Sequence, residues 1–588
     1  MITFPGKFRF ISYAALLLSS SYTPSFALAE EVLLPAIVMS EPCLLLIKST
    51  KYLDGRHETS LCCELSRIDG GSIVTLTKES MPAFLAEKYN NNEINSARDY
   101  LHAKGALVSQ HAMIFPSITT KSGNVFDEQN VFVEHNAYDH ENRRHLRRLG
   151  ITGERSTLVI PATFSDSSTT ATNAVLRNKV FGANGDSLNL RSQMDACSFG
   201  KLDMKPVTSS SSGVTINGGV YRLNLSSTKI SGKDSDTVED ILKPKANDVL
   251  GDLADQYDHV MFCMPPKHSD EDDWIGYAYF DYYRSVFNNE WCNYPSIQMH
   301  EIGHNFELMH SGELDCGDDD CVYEDQTGLM GYSYSEDEWP FMCYNAPKNV
   351  QLGWYDDRIV DLSASNYDWA GSIYGITNYG TTSSANKMIL YITNGATWGD
   401  ITVSFNRQTG INKDTVEYGD KVLVHVKEGG GKTSVEYSYL AAHLSVGQTY
   451  TVPGTKIPIK FESMSDSNPK YASVRVGDGS SYVQCDGSCC DPAMRLKIVK
   501  NDGDKITRNC SWVANKTSRC NLNGVATTCP VSCGTCSTCQ DSELRLKLTK
   551  TDGEKITRNC GWVARKQTSS RCALDGAEDA CRLTCGKC

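Results

Sequence analysis

The sequence has no uninterrupted apolar run of about 18 residues, which sets aside a multi-span membrane protein. It has no excess of positive charge: 57 Lys+Arg stand against 71 Asp+Glu, a formal net charge of -14. Nucleic-acid binders usually carry a basic field, so that class is set aside too. Histidine is scarce, 13 in 588 residues, so histidines that fall together carry information. Apolar mass is not lacking. With 40% hydrophobic residues and a mean hydropathy of -0.35, the chain reads as soluble and folded. At roughly 150 residues per domain, three or four domains are expected.

Cysteine is abundant. The 23 cysteines are too many for a reduced cytosolic protein and point to disulfides and secretion. Their number is odd, so one thiol lacks an intramolecular partner. The first residues agree with secretion. Lys7 and Arg9 precede an apolar stretch from Ile11 to Leu18, and Ala27-Leu28-Ala29 has the small residues of a cleavage site. Residues 1–29 are therefore expected to be a signal peptide. The protein is expected to be extracellular or wall-associated, with no membrane span. Sequons at Asn224, Asn509 and Asn515 are compatible with this.

Residues 30–148 mix strand-like runs (Ser72 to Leu76) with a helical stretch near Ala83, and end in Arg143-Arg144-His145-Leu146-Arg147-Arg148. That basic cluster lies where the character of the sequence changes and reads as a processing site, making 30–148 a propeptide. Thr157 to Phe164 predicts a buried strand, and His259 to Cys263 another. Between them, Asp236 to Tyr257 has helical apolar spacing interrupted by Pro244, giving two short helices or one kinked one. From 359 to 482, short alternating strands such as Met388 to Ile392 and Lys421 to Val426 predict a β-sandwich.

The last hundred residues repeat internally. Asp502 to Cys510 recurs as Asp552 to Cys560, and Trp512-Val513-Ala514 as Trp562-Val563-Ala564. The repeats, 490–536 and 539–588, hold six cysteines each, read as disulfide staples of modules too small to stand on a core alone. From Asp491 to Cys588 there are 17 Lys+Arg and 10 Asp+Glu, a local net of +7 that leaves -21 elsewhere. A basic tail on an acidic protein suggests attachment to anionic polysaccharide.

One stretch carries chemistry: His300-Glu301-Ile302-Gly303-His304-Asn305-Phe306-Glu307-Leu308-Met309-His310. On a helix, His300 and His304 share a face and can reach one ion. Neutral imidazoles suit Zn²⁺, and His310 can be the third ligand if the chain turns back, leaving a position open for water. Glu301 is then the catalytic base. An acidic loop, Glu313 to Cys321, expected to be clipped by Cys316–Cys321, offers oxygen ligands for Ca²⁺ but matches no defined calcium loop.

The histidine motif resembles that of the metzincin metalloproteases. Three further patches resemble the gametolysin family of algal cell-wall-lytic enzymes: Cys197-Ser198-Phe199-Gly200-Lys201-Leu202, Gly328-Leu329-Met330-Gly331-Tyr332, and Cys343 to Lys348 followed by Gln351 to Tyr355. The terminal repeats look like sea-anemone-toxin-type modules. The resemblance implies an α+β fold: a metzincin-like domain of twisted sheet plus zinc helix over 149–358, then the β-sandwich and the two repeats. It implies a zinc endopeptidase acting on matrix or cell-wall glycoproteins. Met330 would support the site from below, and Tyr332 would approach the metal or oxyanion. The family usually has glycine where this chain has Glu307. Keeping the same backbone there would cost on the order of 1–2 kcal/mol. A non-catalytic wall-binding or adhesive protein is the alternative that this departure keeps open. Finally, Cys43, Cys62 and Cys63 leave one unpaired thiol in the propeptide, and Cys62 or Cys63 is expected to block the zinc in the latent form.

Overall fold

The computed structural model describes residues 37–135 and 151–477, apart from short loops, and most of 496–588. Residues 1–36, the basic cluster 143–148, the acidic loop 315–320, Tyr332, and Cys485 and Cys489 lie outside the described residues.

The chain runs β1 (Cys43–Tyr52), β2 (His57–Glu64), β3 (Ile73–Leu76), α1 (Ala83–Asn90), β4 (Asp99–Ala103), β5 (Val131–His135), β6 (Gly153–Phe164), α2 (Asn173–Phe181), α3 (Leu190–Ser198), β7 (Leu202–Pro206), α4 (Ser235–Leu250), β8 (His259–Met264), β9 (Trp274–Tyr279), β10 (Arg284–Asn288) and α5 (Pro295–Asn305). These ten strands and a short strand at Leu223–Leu225 form one eleven-stranded sheet whose main path is β5-β4-β1-β9-β10-β8-β6-β7. β6, β7, β8 and β10 are parallel; helices make the crossovers from β6 to β7 and from β7 to β8, and β9 lies between β8 and β10 in the chain. β9 is antiparallel to β10 on one side and to β1 on the other.

Pro244 does not divide its helix. α4 continues through it to Leu250 and stops at Gly251, whose φ of 84° suits glycine. Its N-terminus is capped by Asp234, whose side chain accepts from the Thr237 N–H. α4 packs Val238, Leu242 and Ala246 into the core on one face of the sheet, and α3 and α5 share the core on the other. The Cys197–Cys343 and Cys263–Cys292 disulfides tie this second layer together.

After α5 come β11 (Ser311–Glu313), α6 (Ala346–Leu352), β12 (Ile359–Ser363), β13 (Trp369–Tyr374), β14 (Ile389–Ala396), β15 (Gly399–Phe405), β16 (Val422–Glu428), β17 (Ser438–Leu444), β18 (Thr449–Thr451), β19 (Pro458–Met464) and β20 (Tyr471–Val476). They make a six-stranded sheet, β11-β17-β16-β15-β14-β12, and a four-stranded sheet, β13-β20-β19-β18. Both sheets contribute to a single apolar core, including Trp369, Val424 and Val474. The expected boundary near residue 358 is not a clean break. β11, directly after His310, pairs in parallel with β17, because its backbone groups need partners once the chain leaves the helix.

The terminal repeats also differ from two independent modules. β21 (Leu496–Val499), β22 (Lys505–Arg508), β23 (Arg545–Thr549) and β24 (Lys555–Arg558) form one sheet, β22-β21-β23-β24. A lone hairpin is marginal in water, and edge-to-edge pairing of β21 with β23 relieves both copies. Among the described residues the disulfides repeat in register: Cys510–Cys529 with Cys520–Cys533, and Cys560–Cys581 with Cys572–Cys585.

Candidate metal centre

α5 opens with Pro295 in its first turn, where a missing N–H costs nothing, and every residue of the helix is buried. Its end is a Schellman turn. Glu307 N–H donates to the His304 carbonyl (2.8 Å) and Leu308 N–H to the Gly303 carbonyl (2.9 Å). Glu307 takes the left-handed position with φ 64°. The backbone expected of a glycine is therefore kept with a glutamate in it, and it swings the chain back so that His310 meets His304.

The three imidazoles converge. The nearest ligand atoms of His300, His304 and His310 all lie within 4.8 Å of one another, and His304 Nε2 and His310 Nε2 are 2.9 Å apart. His300 Nδ1–H donates to the Leu329 carbonyl (2.7 Å) and His304 Nδ1–H to the Leu308 carbonyl (2.8 Å). These bonds fix the tautomers and leave Nε2 of both rings as lone-pair donors toward the common point. Burial pushes all three well below the ordinary histidine range, His304 to about 3, and the neighbouring rings push His300 and His310 further. Neutral rings are the form that binds a metal.

Glu301 is fully buried, and neither carboxylate oxygen has a hydrogen-bond partner among the described residues. Burial raises its carboxyl well above the usual range, while Lys51 opposes the rise. A buried carboxylate without a partner beside three convergent nitrogens is costly in an empty site and suited to one holding a cation and water. The donor set, three neutral nitrogens with no thiolate, fits Zn²⁺ with an open position. Gly276 of β9 permits the close approach: a Cβ there would lie 3.2 Å from Glu301 Oε1.

Met330 lies against the helix at Gly303, where an added Cβ would come within 2.6 Å of its sulfur, and it is completely buried. Leu329, its neighbour, holds His300. Tyr332 lies outside the described residues. A different tyrosine, Tyr323, reaches the histidines: its hydroxyl is 2.5 Å from His310 Nε2. No motif pointed to it, because it comes from a loop thirteen residues after His310.

A second group missed in the sequence anchors His310. Asp325 and His425 form a fully buried pair, 3.0 Å apart, between the loop before Met330 and β16. Burial would raise the Asp325 carboxyl, but His425 and Thr327 outweigh it and hold it below the usual range. Asn345 donates to both Asp325 Oδ2 and Ser311 Oγ, and so ties the pair to the residue following His310.

The expected thiol at the metal is corrected by the structure. Cys63 is joined to Cys43 across β1 and β2. Cys62 is free, but it is buried in the core under α4, with Ser60 and Thr75 as its hydrogen-bond neighbours. Burial pushes its thiol up to about 11, which opposes the thiolate a metal needs. Strand alternation explains the misreading, since Cys62 faces the core rather than the histidines. The residues of the same segment that do reach the site are Ser49, Lys51 and His57. Ser49 Oγ is 3.2 Å from His310 Nε2, and the His57 ring is 4.3 Å from that of Tyr323. In the acidic loop, Cys321 is disulfide-bonded, while Cys316 and the other proposed Ca²⁺ ligands between 315 and 320 lie outside the described residues.

An α+β layer carrying three buried histidines and a glutamate on one helix and its return turn defines a metallopeptidase-type centre. The family model described as gametolysin peptidase M11 matches residues 157–450, and the chain belongs to that family of metallopeptidases. No curated protein and no solved structure matches the chain.

Proposed function

We propose that the protein is a secreted, zinc-dependent endopeptidase with a metzincin-like catalytic domain, made as a proenzyme. Its substrates are extracellular-matrix or cell-wall glycoproteins. The observation that carries this reading is the convergence of His300, His304 and His310 beside the Glu301 carboxylate, which has no hydrogen-bond partner among the described residues. Zn²⁺ held by the three histidines would supply Lewis-acid polarisation of the scissile carbonyl and bring the pKa of its water toward about 7. Glu301 accepts the proton of the attacking water and returns it to the leaving amine. The Tyr323 hydroxyl is in position to donate to the carbonyl oxygen as charge develops there. Met330 keeps α5 seated and Leu329 keeps His300 oriented.

The basic repeats, net +7, serve as the attachment to anionic wall polysaccharide, which raises the local concentration of substrate. Wall retention that falls steeply with salt and is lost on deleting 490–588 supports that part, and unchanged retention refutes it.

The test of the catalytic reading is cleavage of casein and wall glycoprotein by the processed protein, with and without chelator. Metal content is measured alongside in Glu301→Gln. Activity is expected to vanish with chelator and return with Zn²⁺. Glu301→Gln is expected to keep its zinc and lose at least about 10²-fold in kcat. A wild type that binds zinc and is as inactive as the variant would leave a non-catalytic wall-binding protein.

A further inference from the structure

The N-terminal segment lies across the centre it precedes. β1 is hydrogen-bonded to β9 in antiparallel register, with Lys51 opposite Gly276 and Lys48 opposite Tyr279. Gly276 is the residue where a Cβ would crowd Glu301. Without β1, strand β9 would be paired on one side only, by β10. Side chains on one face of the β1–β2 hairpin point into the site. Ser49 meets His310, the Lys51 ammonium sits 3.8 Å over the Tyr323 ring, and His57, directly across from Lys51, packs on Tyr323.

The segment is held by charge. Arg98, just before β4, is buried between two carboxylates of the peptidase region. Its Nη2 is 2.6 Å from Glu307 Oε1, and its Nε is 2.7 Å from Asp281 Oδ2. Near the middle of β1, Lys48 pairs with Asp236 of α4, and Glu64 of β2 pairs with Lys243 and Arg284. The unusual glutamate at the helix turn thus has a partner. Glu307 stands at a position whose φ favours glycine, and its carboxylate binds the segment that covers the site.

We infer that residues 43–64, clamped through Arg98 on Glu307 and Asp281, are an inhibitory strand hairpin that fills the open edge of β9 and the mouth of the histidine site. Latency is then steric and ionic rather than thiol-based. This rests on the peptidase reading for its consequence, but the docking itself does not depend on catalysis. Ion pairs at Arg98 and backbone hydrogen bonds to β9 hold the segment together. Cutting the chain near residues 143–148 turns an intramolecular contact into a bimolecular one that dilution weakens.

The test uses the full-length, zinc-loaded chain and two readouts: hydrogen exchange of the Trp274–Tyr279 amides, which needs no turnover, and hydrolysis of an unstructured peptide. Cutting at the basic cluster and stripping the segment by dilution is expected to speed exchange of the β9 amides that face β1 at least about tenfold, and to release activity. Arg98→Met in the uncut chain is expected to move both readouts the same way. Glu307→Gly removes the same ion pair with the residue the backbone favours, so misfolding cannot account for a matching result. Cys62→Ser is expected to stay as latent as wild type. Equal exchange before and after stripping overturns the inference whatever the activity, and so does activation of the uncut chain by Cys62→Ser alone. Fast exchange without hydrolysis in the stripped protein upholds the hairpin and refutes the peptidase reading instead.

Discussion

Tyr323 and Glu301 face the same small space with different chemistry. Glu301 has no hydrogen-bond partner among the described residues and can take a proton, whereas Tyr323 offers a hydroxyl that can donate. Tyr323→Phe in the processed protein is therefore expected to lower kcat by about 10²–10³-fold with a smaller change in KM, measured by steady-state peptide hydrolysis. Its cost in stability should stay near 1 kcal/mol, the worth of one hydrogen bond. The two residues were not equally legible. Glu301 stands next to His300 in a spacing that a helix converts directly into geometry. Tyr323 and His57 arrive from a loop and a strand whose approach to the histidines depends on long-range packing. Cys62 was misread for a related reason: composition flagged its thiol, but the strand register decides which way it points.

At the scale of elements, α5 and its return turn were the most readable part of the chain. The i, i+4 histidines required a helix, and His310 required a sharp reversal, which Glu307 supplies at φ 64°. In the processed protein, with Arg98 gone, Glu307→Gly should stabilise the fold by about 1 kcal/mol, read by urea unfolding. The strand β11 and the Asp325–His425 pair were not readable, since each depends on a partner more than a hundred residues away or close to it. Removing one member of this pair leaves a buried charge or dipole unmatched. Asp325→Ala should cost about 3–5 kcal/mol and weaken zinc binding about 10–100-fold, measured by competition with a chromophoric chelator.

Across the whole molecule, the contact between the N-terminal segment and the peptidase region is rich in buried ionisable groups. Beside them, the half-buried Asp240 of α4 accepts from the Ile73 N–H at 2.9 Å. Burial raises its carboxyl to about 7, against that hydrogen bond, which lowers it. A carboxyl raised on folding favours the folded state when protonated. Its contribution is complete below about pH 4 and is lost as pH rises through about 7. In the uncut chain, Asp240→Asn should remove a downward slope of up to about 1.4 kcal/mol per pH unit between those limits, seen in urea titrations at stepped pH. The overall α+β character and the strand-rich stretch after residue 359 were legible from periodicity. That the segment before residue 148 shares a sheet with the peptidase region was not, because sheet partners leave no local signature.

The short strand β11 has a consequence for anyone seeking a minimal enzyme. Because the residue after His310 is already woven into the sheet of β14 to β17, the centre is not a portable cassette ending at residue 358. A gene fragment cut there would keep all three histidines but lose β17 and His425, two of the partners that hold the chain after His310. Swapping the downstream half between related enzymes would retune the geometry of the metal itself. The unit that can be inherited, transplanted or engineered runs to at least Val476, where the last strand closes the shared core.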